Sequence, residues 1–368
     1  MLTQQKIKHD ATIFISIVLT LITLGIIFVY SSSSFYALEK FGSPLYYAQR
    51  QCYGIVLGSL FFYGAYNIPL SSLQSLSFFI FSSSLALTAL PLISHLTKRM
   101  HGSSRWVNLF GFIFQPSEIL KITTIIYVAS FLARKQDQRE SFKKGYLPLL
   151  CISMIVSVIL LKQPDFGCTA TILATVLIML FIAKMNMKYL MMLTSVALPL
   201  AGIVVYFQPY RWKRILIYLD PWKDPQGAGF QVIQSLIAIG SGGLWGTGIA
   251  QSKQKFFYLP MQHTDFIFAI IAEETGFIGT TCLISLFALF LYFGFKISWQ
   301  LKNLFAIYMV QGLTILVSIQ ALINIFVSTG LAPTKGIGLP FISYGNTALA
   351  CNMMIAGLIM NAAHDFYE

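Results

Sequence analysis

Apolar residues run along this chain in ten blocks with polar breaks between them, at 11–31, 52–67, 73–94, 117–133, 146–162, 168–183, 189–207, 265–295, 303–329 and 341–362. Blocks of this kind have the reach of membrane helices, which need about 20 apolar residues to cross a core about 30 Å thick. The pattern predicts an all-α polytopic membrane protein of about ten transmembrane helices. No internal repeat or separate soluble domain is visible, so residues 1–368 read as a single membrane domain. Its largest break is the 208–264 segment between the seventh and eighth spans. Within it, GFQVIQSLIAIG (Gly229–Gly240) sets polar Gln231, Gln234 and Ser235 among apolar neighbours and predicts a short helix at the outer interface. The glycine-rich 240–248 stretch that follows either packs against the helix mouths or lets backbone approach a ligand closely. It follows no strand, so it is not a dinucleotide-binding turn.

Lysine and arginine set the direction. With the N-terminus inside, the inner segments hold Lys6, Lys8, Arg134, Lys135, Arg139, Lys143, Lys144, Lys184, Lys188, Lys296 and Lys302. Short inner loops of this kind obey the positive-inside rule. Ten spans return the C-terminus to the same side, so both termini are expected in the cytoplasm. Lys6 and Lys8 mimic the start of a signal peptide, but no small-residue cleavage chemistry follows, and the first helix is expected to be retained.

Composition agrees. Of 368 residues, 56% are hydrophobic and 10% charged, and the mean hydropathy is +0.72. A soluble domain carries roughly 25% charged residues. The five cysteines and five histidines are scattered, which supports neither disulfides nor a zinc site.

Special polar groupings gather on the outer side: KRMHGSSRWVNLFGFIFQPSE before the fourth span, QPDFG before the sixth, the 208–264 segment, and GLAPTKGIGLPFISYGN before the tenth. Functional side chains concentrate on loops held by a rigid scaffold. Thr264 and Asp265 stand at the mouth of the eighth span. They are either an N-cap and a first-turn acid facing the positive helix end, or a carboxylate kept for chemistry. Ser117 and Glu118 repeat the arrangement at the fourth span, with Lys121 one turn deeper. That pair either neutralises itself or faces an aqueous cavity. Asp165 in QPDFG is a third acid at this level, in a sequence that also suits a turn. Glu273 and Glu274, about two turns into the eighth span, call for at least one polar interior partner. Arg211, Lys213, Arg214, Lys223, Lys253 and Lys255 make the long loop basic. It either contacts anionic lipid headgroups or cradles a phosphate-bearing substrate, since guanidinium forks grip phosphate bidentately. No nucleic-acid motif accompanies the charge, and no nucleic-acid partner is expected.

Taken in order, Arg105–Trp106, FQPSEILK, QPDFG, PYRWKRILIYLDPWKDPQGAGFQ, SGGLWGTG, QKFFYLPMQHTDFIFAIIAEETG and LPFISYG resemble the motifs of the SEDS proteins. These are the FtsW/RodA/SpoVE family of peptidoglycan glycosyltransferases, and the resemblance covers about residues 10–362. It implies a ten-helix fold that polymerises lipid II into glycan strands on the outer face of the bacterial cytoplasmic membrane. The family's catalytic aspartate falls on Asp265, with Glu118, Lys121, His263, Arg105 and Asp165 in support. Arg211, Lys213 and Arg214 are the candidates for the substrate diphosphate. Met261, Thr275 and Asn346–Thr347 depart from the commoner Glu, Leu and Gly-Ser, at positions that spare Asp265, Glu118 and Lys121. Several motifs look more like the FtsW/SpoVE branch, while IAIGSGG also suits RodA. A division-site enzyme is therefore expected, with an elongation polymerase as the alternative.

No cofactor is implied with certainty. A divalent cation, Mg or Mn, can shield a diphosphate, although no dedicated ligand set is visible. The implied partners are lipid II, membrane lipids, divisome proteins and a class B penicillin-binding protein transpeptidase. The last would seat its helix on spans eight and nine, where Gly294, Ser298, Ala306 and Ser318 offer small residues. The rival reading is a lipid II flippase. Transporters place key charges near mid-depth and often show repeated halves, whereas these acids gather at one mouth.

Overall fold

The computed structural model describes residues 2–93, 97–100, 103–109, 112–207, 209–227, 229–255 and 262–364. In chain order these form α1 (Leu2–Phe41), α2 (Tyr46–Tyr66), α3 (Leu70–Ser75), α4 (Ser77–Ile93), β1 (Thr97–Met100), β2 (Ser103–Leu109), β3 (Phe112–Phe114), α5 (Pro116–Arg134), α6 (Leu147–Lys162), α7 (Phe166–Ile182), α8 (Met187–Tyr206), α9 (Pro209–Leu219), α10 (Phe230–Ser241), α11 (Ile267–Ser298), α12 (Leu304–Ser328) and α13 (Asn346–His364). Each expected span falls on a helix, the third on the α3–α4 pair. By length and composition, six are able to cross a membrane: α1, α5, α6 with the turn before it, α11, α12 and α13.

The centre of the bundle is α5, α12 and α13, the helices most enclosed by their neighbours. Close approach there depends on missing side chains. On α2, Gly54 and Gly58 lie four residues apart and back onto Asn346, Ala350 and Met353 of α13, while Gly357 of α13 backs onto the Phe62 carbonyl. This is the small-residue packing that brings membrane helices together without a hydrophobic drive between them. Gly312 of α12 likewise admits Ile125 of α5 and Met179 of α7. Large apolar side chains such as Tyr53, Val56, Leu60 and Tyr63 point outward from α2, as a lipid-facing surface requires.

One expectation is corrected here. Gly294 packs against Thr314 of α12, Ser298 accepts a hydrogen bond from Gln311 at 3.2 Å, and Ser298 and Ala306 are buried. Gly294, Ser298 and Ala306 therefore serve the α11–α12 seam rather than an open surface, while Ser318 is half-buried.

The two ends of the bundle differ. At one end Asp10 binds Lys296 and Gln300, both at 2.8 Å, Arg139 reaches Tyr308 at 2.7 Å, and Tyr146 bonds the Asn186 carbonyl at 2.6 Å. The other end collects every motif-rich loop. There β1, β2 and β3 form an antiparallel sheet, pairing Lys98 with Trp106 and Val107 with Phe114, which was not expected from the sequence. It delivers the chain directly to Pro116, the first residue of α5, where proline's missing N–H is harmless. A short helix forms where the 229–240 pattern predicts one, as α10, and α9 precedes it.

α11 is broken at Gly276, whose φ of 67° and ψ of −165° are non-helical. The 243–248 loop fills the break. Phe277 and Ile278 donate to the carbonyls of Gly243 and Leu244, at 2.8 and 3.2 Å, and Thr247 and Gly248 donate to those of Glu273 and Glu274, at 2.9 and 3.1 Å. Both glutamates are buried. Glu273 accepts from Ser252 Oγ and from the Lys253 amide, and Glu274 accepts from Ser31 Oγ of α1 at 2.5 Å and lies 3.7 Å from Lys255 Nζ. The polar partners expected for this pair are therefore present on both acids.

Candidate active site

Asp265 lies in the turn at 262–266, ahead of α11. The helix begins at Ile267 with Phe266 as its N-cap, no side chain caps it, and no acid occupies its first turn. The reading of Thr264 as N-cap and Asp265 as a first-turn acid is thus corrected. Three successive carbonyls of this turn are tied down instead. His263 O accepts from the Tyr344 amide at 3.0 Å, Thr264 O from Ser343 Oγ at 2.6 Å, and Asp265 O from Asn324 Nδ2 at 2.8 Å. Asn324, buried on α12, gives its other amide hydrogen to Ile337 O, also at 2.8 Å. Leu339 N closes the set by donating to Ser343 Oγ at 2.7 Å.

These bonds lash the turn to a strap, residues 331–345, between α12 and α13. The strap runs beneath Asp265. A methyl group at Gly336 would lie 3.4 Å from Asp265 Oδ2, so the strap comes within ordinary contact of the carboxylate here. On the far side of Gly336, Ile337 packs onto Gly167, and Lys335 Nζ stands 4.6 Å from the centre of the Phe166 ring. Both partners open α7.

Asp165, buried, is the N-cap of α7 and accepts from the Cys168 amide at 3.1 Å. Its Oδ2 takes hydrogen bonds from Gln115 Nε2 at 3.2 Å and Ser117 Oγ at 3.4 Å. Asp165 therefore pins the mouths of α5 and α7 together, and Ser117 serves it rather than capping α5, whose N-cap is Gln115. One residue on, Glu118 pairs with buried Lys121 at 2.9 Å. Asp265, Asp165, Glu118 and Lys121 are thus joined through the strap and α7.

His263 is buried against the rings of Tyr47, Tyr344 and Tyr36, with centroids 4.4, 5.8 and 6.0 Å away, and its Nδ1 has no hydrogen-bond partner among the described residues. Burial first, and the charge of Lys40 second, push its pKa down to about 4, so the imidazole is neutral at physiological pH.

The basic segment divides. Lys213 is exposed and pairs with Asp224 at 3.3 Å. Arg214 turns inward, donates to Thr334 O of the strap at 2.5 Å, and lines a cavity of about 220 Å³ with Val232, Leu236, Thr329 and Ala332. The side chains of Arg105 and Arg211 lie outside the described residues, as do Pro260 and Met261. Sequence reasoning missed Asn324, Ser343, Lys335 and Gly336. Only Lys335 left a signal, as a lone cation in an acid-free outer loop.

Residues 11–368 match the FtsW/RodA/SpoVE family model, described as cell cycle protein. Stage V sporulation protein E of Bacillus subtilis is 38% identical over 362 residues, 98% of this chain and 99% of that protein. The probable peptidoglycan glycosyltransferase FtsW of Geobacter sulfurreducens is 38% identical over 360 residues, 98% and 96% of the two chains. A solved structure described as "Structural coordination of polymerization and crosslinking by a peptidoglycan synthase complex" superposes with a TM-score of 0.79 at 28% identity, over 96% of this chain and 98% of that one. The rod shape determining protein RodA of Thermus thermophilus shares the fold, with a TM-score of 0.71 at 24% identity over 96% and 97%. With fold, motif order and near full-length similarity in agreement, the chain belongs to the FtsW/RodA/SpoVE family.

Proposed function

We propose that this multi-pass membrane protein is a peptidoglycan glycosyltransferase that polymerises lipid II on the outer face of the bacterial cytoplasmic membrane. The observation that carries the reading is Asp265: a carboxylate set ahead of its helix, its backbone fixed by the turn's hydrogen bonds and its side chain above a glycine. In the reaction a sugar hydroxyl attacks the anomeric carbon of the donor. A new C–O bond forms, the bond to undecaprenyl diphosphate breaks with its electron pair going to the diphosphate, and the hydroxyl proton passes to Asp265. Cations at the diphosphate stabilise the departing charge.

Relatives named FtsW and stage V sporulation protein E, each at 38% identity, support the division branch of the family over the elongation branch. A class B penicillin-binding transpeptidase is the partner this reading supplies, and it follows the solved peptidoglycan synthase complex. Divisome proteins and a place at the division site belong to the same reading, as does the inside location of both termini. Among the described residues no three His, Cys, Asp or Glu side chains are grouped to hold a metal ion. A divalent cation would thus be held chiefly by the substrate's own diphosphate.

The candidate site occupies one end of the bundle, which favours an enzyme over a flippase. Purified protein incubated with labelled lipid II should give polymer on a gel. Translocation in sealed vesicles without polymer would make the flippase the better account.

A further inference from the structure

α9 presents apolar side chains on the face it turns away from the protein. Each residue of an α-helix rotates by about 100°, at 3.6 residues per turn. Trp212, Leu216 and Leu219 therefore share one stripe, and Arg214, Ile217 and Tyr218 lie on the opposite side. The inward side is occupied. Ile217 is buried, Arg214 donates to Thr334 O, and all three residues line the cavity beside the strap. The outward stripe is open: Trp212 and Leu216 are exposed, Leu219 is 71% exposed, and Trp222, in the Pro221–Lys223 turn that follows, is 64% exposed. Among the described residues, α9 packs chiefly on α8 and on that turn, so the bundle gives it little support.

A contiguous apolar stripe rimmed by polar residues marks a surface that something else covers. Its position indicates what. α8 ends at Tyr206 and α9 starts at Pro209, so α9 turns off directly from the end of the seventh expected span, at the level where acyl chains give way to headgroups. Tyr206 and Phe207 at this corner are exposed as well, and the Tyr206 ring meets that of Trp212 edge-on at 5.3 Å. Tryptophan and tyrosine collect at that level because their rings are apolar while their N–H and O–H groups reach water. Lys213 and Lys223 flank the stripe, but each faces an aspartate, Asp224 at 3.3 Å and Asp220 at 3.9 Å. The surface therefore has little free charge with which to draw anionic headgroups.

We infer that α9 and the Trp222 turn form an in-plane membrane anchor, with Trp212, Leu216, Leu219 and Trp222 seated at the boundary between phospholipid headgroups and acyl chains. The partner is the phospholipid interface itself, held by apolar contact rather than by charge. Lipid covers one side of α9 and the cavity lies against the other, so the bilayer supports the wall to which Ile217 and Tyr218 belong. The anchor stands whether or not the chain polymerises lipid II.

The test uses full-length protein in phosphatidylcholine vesicles, with Trp212 as its only tryptophan and Trp106, Trp222, Trp245 and Trp299 replaced by Phe. Trp212 emission should be blue-shifted and shielded from aqueous acrylamide. Lipids brominated near the headgroup should quench it more strongly than lipids brominated near the chain end. Exchange of phosphatidylcholine for phosphatidylglycerol, or added salt, should leave the quenching unchanged. If that variant folds poorly, the difference in quenching between wild type and Trp212→Phe isolates the same side chain with one substitution. Quenching by acrylamide but not by brominated lipid would place α9 in water and overturn the anchor. Shielding from both quenchers would reveal a protein cover, a second copy or a partner chain, and overturn it as well. Stronger quenching by the deep bromines would overturn the in-plane placement. Lipid quenching that appears only with phosphatidylglycerol would overturn apolar contact in favour of charge.

Discussion

Asn324 on α12 holds the carbonyl of Asp265 and the carbonyl of Ile337 with the two hydrogens of one amide, both at 2.8 Å. One side chain thereby fixes the separation between the turn that carries the carboxylate and the strap beneath it. Replacing it by Leu strands two carbonyls, at about 1–3 kcal/mol for each one left buried and unsatisfied. Asn324→Asp offers acceptors where donors are needed and should be no better. Both variants should melt lower than wild type and polymerise more slowly. Equal rates after correction for folded protein would show that the turn keeps its place without this amide.

Asp265→Asn separates chemistry from structure. Because Asp265 stands before the helix, its charge does not serve as a first-turn acid, and the variant is compared with wild type at equal amounts of folded protein. As general base its loss should cost about 10²–10⁴ in polymerisation rate. Lipid II binding should be little changed, since the carboxylate acts on the transition state. Glu118→Gln, at a residue already paired with Lys121, should cost less. A folded Asp265→Asn variant at the wild-type rate would remove the residue from the mechanism.

Gly276 is tested by adding a single methyl group. At φ 67° an L side chain is strained, and the new atom would lie 2.6 Å from Leu244 O. Left-handed backbone costs about 1–2 kcal/mol, and overpacking typically adds about 1–3 kcal/mol. Gly276→Ala should give much less folded protein in detergent than Gly64→Ala on α2, where an added methyl group meets nothing within 4 Å. Similar yields would mean that the break tolerates a regular residue.

The neutral His263 gives a pH signature. Its folded pKa, about 4, lies below the unfolded value of about 6.5. The unfolded chain therefore takes up a proton that the folded chain refuses, and stability falls as pH drops from about 6.5 towards 4. The full effect is on the order of 3 kcal/mol. His263→Gln should flatten that part of the stability curve, measured by thermal melts across the range. A slope unchanged by the substitution would place the acid sensitivity elsewhere.

Much of this architecture is legible in the sequence, because apolar runs of bilayer length admit few structures other than helices. That Asp265, Asp165 and Glu118 gather at one end of the bundle follows from the same runs. What escapes is pairing across distance. Nothing local distinguishes Asn324 from any other polar residue on a membrane helix, and its role exists only once α12 stands beside the 262–266 turn. Thr264 shows the opposite error. Its type and place suit an N-cap, yet Ser343 claims its carbonyl and α11 starts three residues later. The β1–β3 sheet was hidden because its strands, TKRM, SSRWVNL and FIF, are short and lack a sustained alternation of apolar and polar residues.

The broken helix α11 has a consequence for how the protein is made. Glu273 and Glu274 would enter the bilayer as bare carboxylates on an otherwise apolar segment, a costly cargo for the insertion machinery. Their partners Ser31, Ser252, Lys253 and Lys255 all precede them in the chain. So do Gly243 and Leu244, which receive the amides freed by the break. Among the described residues, the ribosome therefore delivers these hydrogen-bond donors and the Lys255 cation before the two acids emerge, and α11 can be seated as it is synthesised, without waiting for α12 or α13.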